Sequence, residues 1–90
     1  MLKVGYFAHI RELTGKKEEI LVLCPTVGVL MNSLCQAYGA KFRDFCMDGE
    51  RISRNVNVSV NGKHIKHLRE DETSLKDDDE ISIFPLIGGG

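Results

Sequence analysis

A single helix must cover most of this chain's apolar surface. Between Thr26 and Gly39, the apolar residues Val27, Leu30, Met31, Leu34 and Tyr38 recur at helical spacing and make one stripe. Thr26, after Pro25, is placed to cap the free N–H groups of the first turn, and Gly39 ends the pattern. Gly28 costs stability relative to Ala, less so in a first turn. No other segment carries a helical stripe of this length. A one-sided helix needs an apolar layer to lie on, and the flanking segments read as strands, so a sheet is the layer available.

The strands show by period-two alternation. Lys3 to Ala8 puts Leu2, Val4, Tyr6 and Ala8 on one face and Phe7 on the other, with Gly5 marking a bulge or a close backbone contact. His9 to Thr14 carries helix formers and stops at Gly15, a C-terminal cap. Glu18 to Leu23 reads as a returning strand. Lys41 to Met47 fits a short helix or an extended loop equally well. Asp48-Gly49 is a turn. Asn55 to Val60 alternates strictly and runs into Asn61-Gly62, a hairpin turn, with Lys63 to Ile65 returning. Leu68 and Leu75 are expected to anchor the charged connection to the core. Glu80 to Phe84 is the last strand, and Pro85, lacking an N–H, is expected to end ladder pairing. The predicted class is α+β: a mixed sheet packed on one main helix, with the first and last strands parallel if they pair at its centre.

Ninety residues suit one domain, 1–90, in which 85–90 reads as a flexible C-terminal tail. A net charge of -1 gives no electrostatic case for nucleic acid or an anionic membrane as partner. No apolar run approaches a spanning length, and Met-Leu-Lys-Val opens no signal-peptide pattern. Three widely spaced cysteines, Cys24, Cys35 and Cys46, argue against a disulfide framework and for a cytoplasmic setting. Five basic residues and no acid lie between Arg51 and Arg69, whereas seven acids and one Lys lie between Glu70 and Glu80. These blocks read as two solvated faces, or as one docking a partner of opposite sign.

The strand-like Ile81 to Phe84 runs through Pro85 into Gly88-Gly89-Gly90. Glycines without Cβ atoms thread a channel too narrow for other residues, and Gly90 presents its α-carboxylate as the reactive group. Phe7, out of phase with Val4 and Tyr6, is either core packing or the rim of a partner-binding patch that would include Phe84 and Pro85. Arg11 has two readings, pairing with an acid of the domain or with a partner. Other chemistry finds little support. His64-x-x-His67 lacks the further ligands of a tetrahedral site, and Asp77 to Glu80 lacks the glycine and alternating ligands of a calcium loop. Cys35 reads as buried packing. No metal site is expected.

With these residues in place, the chain resembles the MoaD-like small subunit of molybdopterin synthase, a ubiquitin-like β-grasp sulfur carrier. The matching pieces are Phe7-Ala8 with Arg11-Glu12-Leu13 and Gly15; Pro25-Thr26-Val27; Val60-Asn61; and Leu75, Asp79-Glu80-Ile81, Phe84-Pro85 and Gly89-Gly90. Gly88 stands where the family often has a small hydroxylated residue, and His64 where it tends to be apolar. The resemblance implies a β-grasp fold. It also implies that an E1-like enzyme uses ATP to adenylate the Gly90 carboxylate, that a persulfide converts it to a thiocarboxylate, and that the chain then binds the molybdopterin synthase large subunit, where the sulfur passes to an acceptor. No cofactor would be bound to this chain, which would be a cosubstrate or subunit. The same tail occurs in small modifiers joined to lysines and in carriers serving thiamine or tRNA thiolation, and both remain alternatives, as does an interaction module with an inert tail.

Overall fold

The computed structural model describes residues 1–86. In chain order the elements are β1 (Leu2–Tyr6), α1 (His9–Thr14), β2 (Glu18–Leu21), α2 (Val27–Tyr38), α3 (Ala40–Cys46), the short strands β3 (Met47–Asp48) and β4 (Arg51–Ile52), β5 (Val56–Val60), β6 (Lys63–His64), two 3₁₀ turns and β7 (Glu80–Pro85). Five strands form one sheet in the order β2-β1-β7-β5-β6, while β3 and β4 pair by themselves. β1 and β7 lie side by side and parallel, and the other neighbours are antiparallel. The predicted mixed sheet with parallel first and last strands is therefore present.

Alternation decides which face is buried. Leu2, Val4 and Tyr6 of β1, Val56, Val58 and Val60 of β5, and Ile81 and Ile83 of β7 are all buried. The stripe Val27, Leu30, Met31 and Leu34 of α2 is buried in the same cluster, and Tyr38 packs at its edge. Thr26 caps α2, its side chain accepting from the Val29 N–H. The Val27 N–H, a second orphan of the first turn, donates to the Thr73 carbonyl at 3.0 Å. Gly28 has a use beyond tolerance in a first turn: a Cβ there would sit 3.0 Å from the Asp71 carbonyl oxygen. The helix thus lies against the backbone of the turn Glu70–Glu72. The undecided segment after Gly39 is helical, with Phe42 and Cys46 buried one turn apart.

Four expectations need correction. Ala8 is exposed, because the chain leaves the strand there with φ 51 and ψ -126 to start α1. β2 stops at Leu21, since only Met1 remains in β1's chain to face Val22. Leu68 is exposed; Ile65 occupies the buried position and the chain turns after it. Pro85 neither ends pairing nor begins the tail: it is the last residue of β7 and faces Val56. Its missing N–H falls on the β1 side, where the Phe7 carbonyl already accepts from the Ile10 N–H of α1 at 3.0 Å. On the β5 side the next donor, Leu86 N–H, reaches the Asn55 carbonyl at 2.8 Å. Proline therefore costs no ladder bond at this position.

One polar cluster is built into the core's edge. The Tyr6 and Tyr38 hydroxyls both donate to Glu19 Oε2, and Lys16 Nζ reaches Glu19 Oε1 at 3.1 Å. Burial and the Glu19 carboxylate push both tyrosines above their ordinary pKa. Burial alone would raise Glu19, but the bonds from Tyr38, Tyr6 and Lys16 outweigh it and hold the carboxyl below its ordinary 4.5. Glu19→Leu is expected to destabilise the fold by about 1–3 kcal/mol, because the fully buried Tyr6 loses its acceptor. A carboxyl with a lowered folded pKa contributes stability that is complete above the unfolded value and lost as pH falls through the folded one. Urea denaturation from neutral to acid pH should therefore show an acid-side loss that is smaller in Glu19→Gln. Equal stability of Glu19→Leu and the parent would refute the role assigned to this cluster.

Candidate functional site

The sheet face turned away from α2 carries the features singled out for partner contact. On this face β1 offers Gly5, β7 offers Ser82 and Phe84, and β5 offers Asn57 and Ser59. Phe7 follows β1 and lies over this face, 41% exposed. Its ring meets Phe84 edge to face, with centroids 6.0 Å apart. A Cβ on Gly5 would stand 3.3 Å from the Phe7 ring, so the glycine makes room for the aromatic. Phe7, Ala8, Ser59, Ser82, Phe84 and Pro85 line an open, mainly apolar depression of about 410 Å³. Of the two readings left for Phe7, exposure favours the patch.

Arg11 is fixed by the domain's own backbone. Its Nε donates to the Tyr6 carbonyl at 2.7 Å, and its guanidinium lies 5.5 Å from the centroid of the Phe7 ring. Among the described residues it makes no ion pair, so of its two readings the one with an acid of the domain finds no partner in that set. Phe7, Arg11, Phe84 and Pro85 therefore form one contiguous surface. Gly88, Gly89 and Gly90 lie outside the described residues. The described chain ends at exposed Leu86, one residue past β7. Any segment continuing from it starts at the end of the strand that carries Phe84 and Pro85.

The sequence reading missed three polar members of this surface. Asn57, Ser59 and Ser82 sit on the off-beat of strands whose other positions are Val or Ile, and that alternation was the signal available. The Asn57 side-chain carbonyl oxygen is buried and, among the described residues, has no hydrogen-bond partner. It lies directly across from Phe84.

The remaining candidates do not assemble. His64 and His67 have ring centroids 6.3 Å apart, and the His64 Nδ1 accepts from the Lys66 N–H at 2.9 Å. Among the described residues no three His, Cys, Asp or Glu side chains form a metal-binding group. Asp79 has a structural partner set, accepting from the Lys76 N–H at 2.8 Å and from Asn61 Nδ2 at 2.9 Å, bonds that hold its carboxyl below the ordinary range. Burial raises the Cys35 thiol, and burial beside Cys35 pushes Cys46 up to about 12. Neither forms thiolate readily. The basic and acidic blocks meet in a second recess of about 770 Å³, where Arg51, Arg54 and Lys66 face Asp48, Glu70 and Asp71. Their formal charges cancel, leaving no net sign for an ionic ligand. No helix among the described residues is long and apolar enough to cross a membrane.

Comparison with known proteins places this geometry. The model of the ThiS family matches residues 4–90. Small archaeal modifier protein 3 of Haloferax volcanii is 35% identical over 91 residues, covering 99% of this chain and 98% of the relative. The solution structure of small archaeal modifier protein 1 from Methanosarcina acetivorans superposes with a TM-score of 0.84 at 35% identity, covering 99% of this chain and 95% of that one. A Pyrococcus furiosus structure described as that of a molybdopterin converting factor, subunit 1, gives a TM-score of 0.75 at 29% identity, covering 96% and 97%. The chain belongs to the ThiS family, ubiquitin-like β-grasp proteins that include sulfur carriers and small protein modifiers.

Proposed function

We propose that this protein carries sulfur on the carboxyl group of Gly90. The observation that carries this reading is the family match, which runs through residue 90 and so spans the three glycines as well as the domain. A carboxylate is a poor acyl donor because its leaving group is oxide. An E1-like enzyme using ATP would convert it to an acyl-adenylate, with pyrophosphate released. A donor persulfide displaces AMP, and a thiol cleaves the resulting acyl disulfide to leave a thiocarboxylate, nucleophilic at sulfur. The groups that perform these steps belong to the partner enzymes. This chain supplies the carboxyl group, the Gly88-Gly89 approach to it, and the surface around Phe7 and Phe84 by which partners dock. The acceptor we favour is a pterin, with the large subunit of molybdopterin synthase as the catalytic partner, as the molybdopterin-type relative suggests, and with the whole sequence in the cytoplasm. No cofactor resides on the chain.

The 35% identity to a small archaeal modifier over nearly the full length supports a second reading, in which activated Gly90 is joined to substrate lysines. Intact-mass analysis of protein from its native cells separates the two. Replacement of oxygen by sulfur, localised to Gly90, is expected for the carrier. Isopeptide conjugates through the glycines would replace that reading with the modifier. An unmodified mass in native cells that persists after incubation with ATP, the activating enzyme, a persulfide donor and cell extract would defeat both.

Two variants test the parts assigned here. One added residue after Gly90 should abolish adenylation, since it moves the carboxylate and gives it a different side chain; adenylation at the parental rate would contradict the assignment. Phe7→Lys should keep the fold, its side chain being exposed, yet raise KM for the activating enzyme about tenfold, a loss of about 1.4 kcal/mol. An unchanged KM would remove Phe7 from the docking surface.

A further inference from the structure

The turn between β5 and β6 is tied to the start of β7 through one residue. Asn61 and Gly62 both have positive φ, 52 and 84, as a two-residue hairpin turn requires, and Val60 and Lys63 pair across it. The Asn61 N–H donates to the Glu80 carbonyl at 2.7 Å. The Asn61 side-chain oxygen accepts from the Glu80 N–H at 2.9 Å, and its Nδ2 donates to Asp79 Oδ1 at 2.9 Å. A backbone N–H only donates, so Glu80 fixes which end of the amide is oxygen and leaves the NH₂ for Asp79. Asp79 is buried, and its other oxygen accepts from the Lys76 N–H at 2.8 Å. Asn61 itself is exposed.

An asparagine followed by glycine is open to attack on its side-chain carbon by the next backbone nitrogen, because glycine brings no side chain to block the approach. The Gly62 nitrogen, having lost its proton to solvent, bonds to Asn61 Cγ. The Cγ–Nδ2 bond breaks, and the nitrogen takes up a proton and leaves as ammonia. Water then opens the five-membered imide at either carbonyl, leaving an aspartate or an isoaspartyl link. One water is consumed and one ammonia released, with no oxidant and no enzyme. In the folded chain, turning Cγ toward the Gly62 nitrogen gives up both side-chain bonds to Asp79 and Glu80. The other asparagines, Asn32, Asn55 and Asn57, precede Ser33, Val56 and Val58, whose side chains hinder the same attack.

We infer that Asn61 is a self-modification site, closed in the folded chain by its bonds to Asp79 and Glu80, and that its conversion irreversibly opens the join between the β5–β6 turn and β7. In the aspartate product an acceptor stands where Nδ2 stood, 2.9 Å from Asp79 Oδ1, so two carboxylates face each other with no donor between them. The isoaspartyl product adds a methylene to the backbone of a turn that Val60 and Lys63 close with two residues. Either product loosens the first residue of the strand that carries Phe84 and Pro85.

Peptide mass spectrometry of the full chain, incubated in mildly alkaline buffer with and without enough guanidinium chloride to unfold it, tests this. In denaturant, conversion should concentrate at Asn61. In buffer the same residue should convert at least about tenfold more slowly, at a rate set by opening of the turn. Two variants read the consequence by denaturant unfolding. Asn61→Asp should lower the midpoint. Asn61→Asp combined with Asp79→Asn exchanges the two groups and keeps all three side-chain bonds, the amide now donating from position 79, and should recover most of that loss. No conversion in denaturant, equal rates in denaturant and buffer, or conversion spread evenly over the asparagines would overturn the inference. So would an Asn61→Asp chain as stable as the parent, or a double variant no more stable than Asn61→Asp.

Discussion

The pairing of the first strand with the last holds the molecule and its site together. β1 and β7 are about eighty residues apart in sequence but adjacent and parallel at the sheet's centre, with Val4 beside Ile81 and Tyr6 beside Ile83. Bringing ends this distant together costs chain entropy, although that cost grows only logarithmically with loop length. The burial that offsets it is direct: Leu2, Val4, Tyr6, Ile81 and Ile83 all lie under α2 with almost no exposed surface. The same pairing sets Phe7, one residue past β1, beside Phe84. Weakening the central pair would therefore disperse the aromatic surface along with the core.

Strand ends explain how the sheet and the surface share residues. At Ala8 the chain takes a positive φ, uncommon for a residue with a Cβ, and turns into α1. That turn frees the Phe7 carbonyl to accept from Ile10 and leaves a gap in the β1 ladder, into which Pro85 fits without losing a bond. Arg11, one turn into α1, reaches back to the Tyr6 carbonyl and covers one side of the Phe7 ring. The surface is thus assembled where β1 ends beside β7, by backbone bonds more than by side-chain charges.

Much of this was legible in the chain because its signals are local. The stripe Val27 to Leu34, the Thr26 cap, the alternation of Val56, Val58 and Val60 and the Asn61-Gly62 turn each describe a few neighbouring residues. The order of strands then left few arrangements for a single helix to cover. What was not legible depends on residues far away in sequence. In sequence Gly28 is only a tolerated cost, but its role comes from Asp71 passing 3.0 Å from where a Cβ would be. Pro85 reads as a stop, since nothing near it in sequence says that its empty side faces a carbonyl already taken by Ile10. Ala8 was given the parity of β1, and only the start of α1 breaks it. In the site, Phe7 was found because it falls out of phase, whereas Asn57, Ser59 and Ser82 looked like ordinary solvent-facing positions.

A fold shared between carriers and modifiers means that the sheet and helix do not select the partner. The relatives at 35% and 29% identity differ in the role their names give yet superpose with TM-scores of 0.84 and 0.75. Selection must then lie in what the common frame displays. The buried face is committed to α2 and tolerates only apolar residues of matching volume. The opposite face carries no such constraint beyond Gly5, which must stay small under Phe7. Its pattern here is an aromatic pair flanked by the hydroxyls of Ser59 and Ser82, with the buried Asn57 oxygen across from Phe84. Asn57 does not line the depression, so the groups a partner would meet there are the two aromatic rings, Ala8, Pro85 and the hydroxyls of Ser59 and Ser82. The inner face is committed to stability, which leaves the outer face as the part of the frame free to vary.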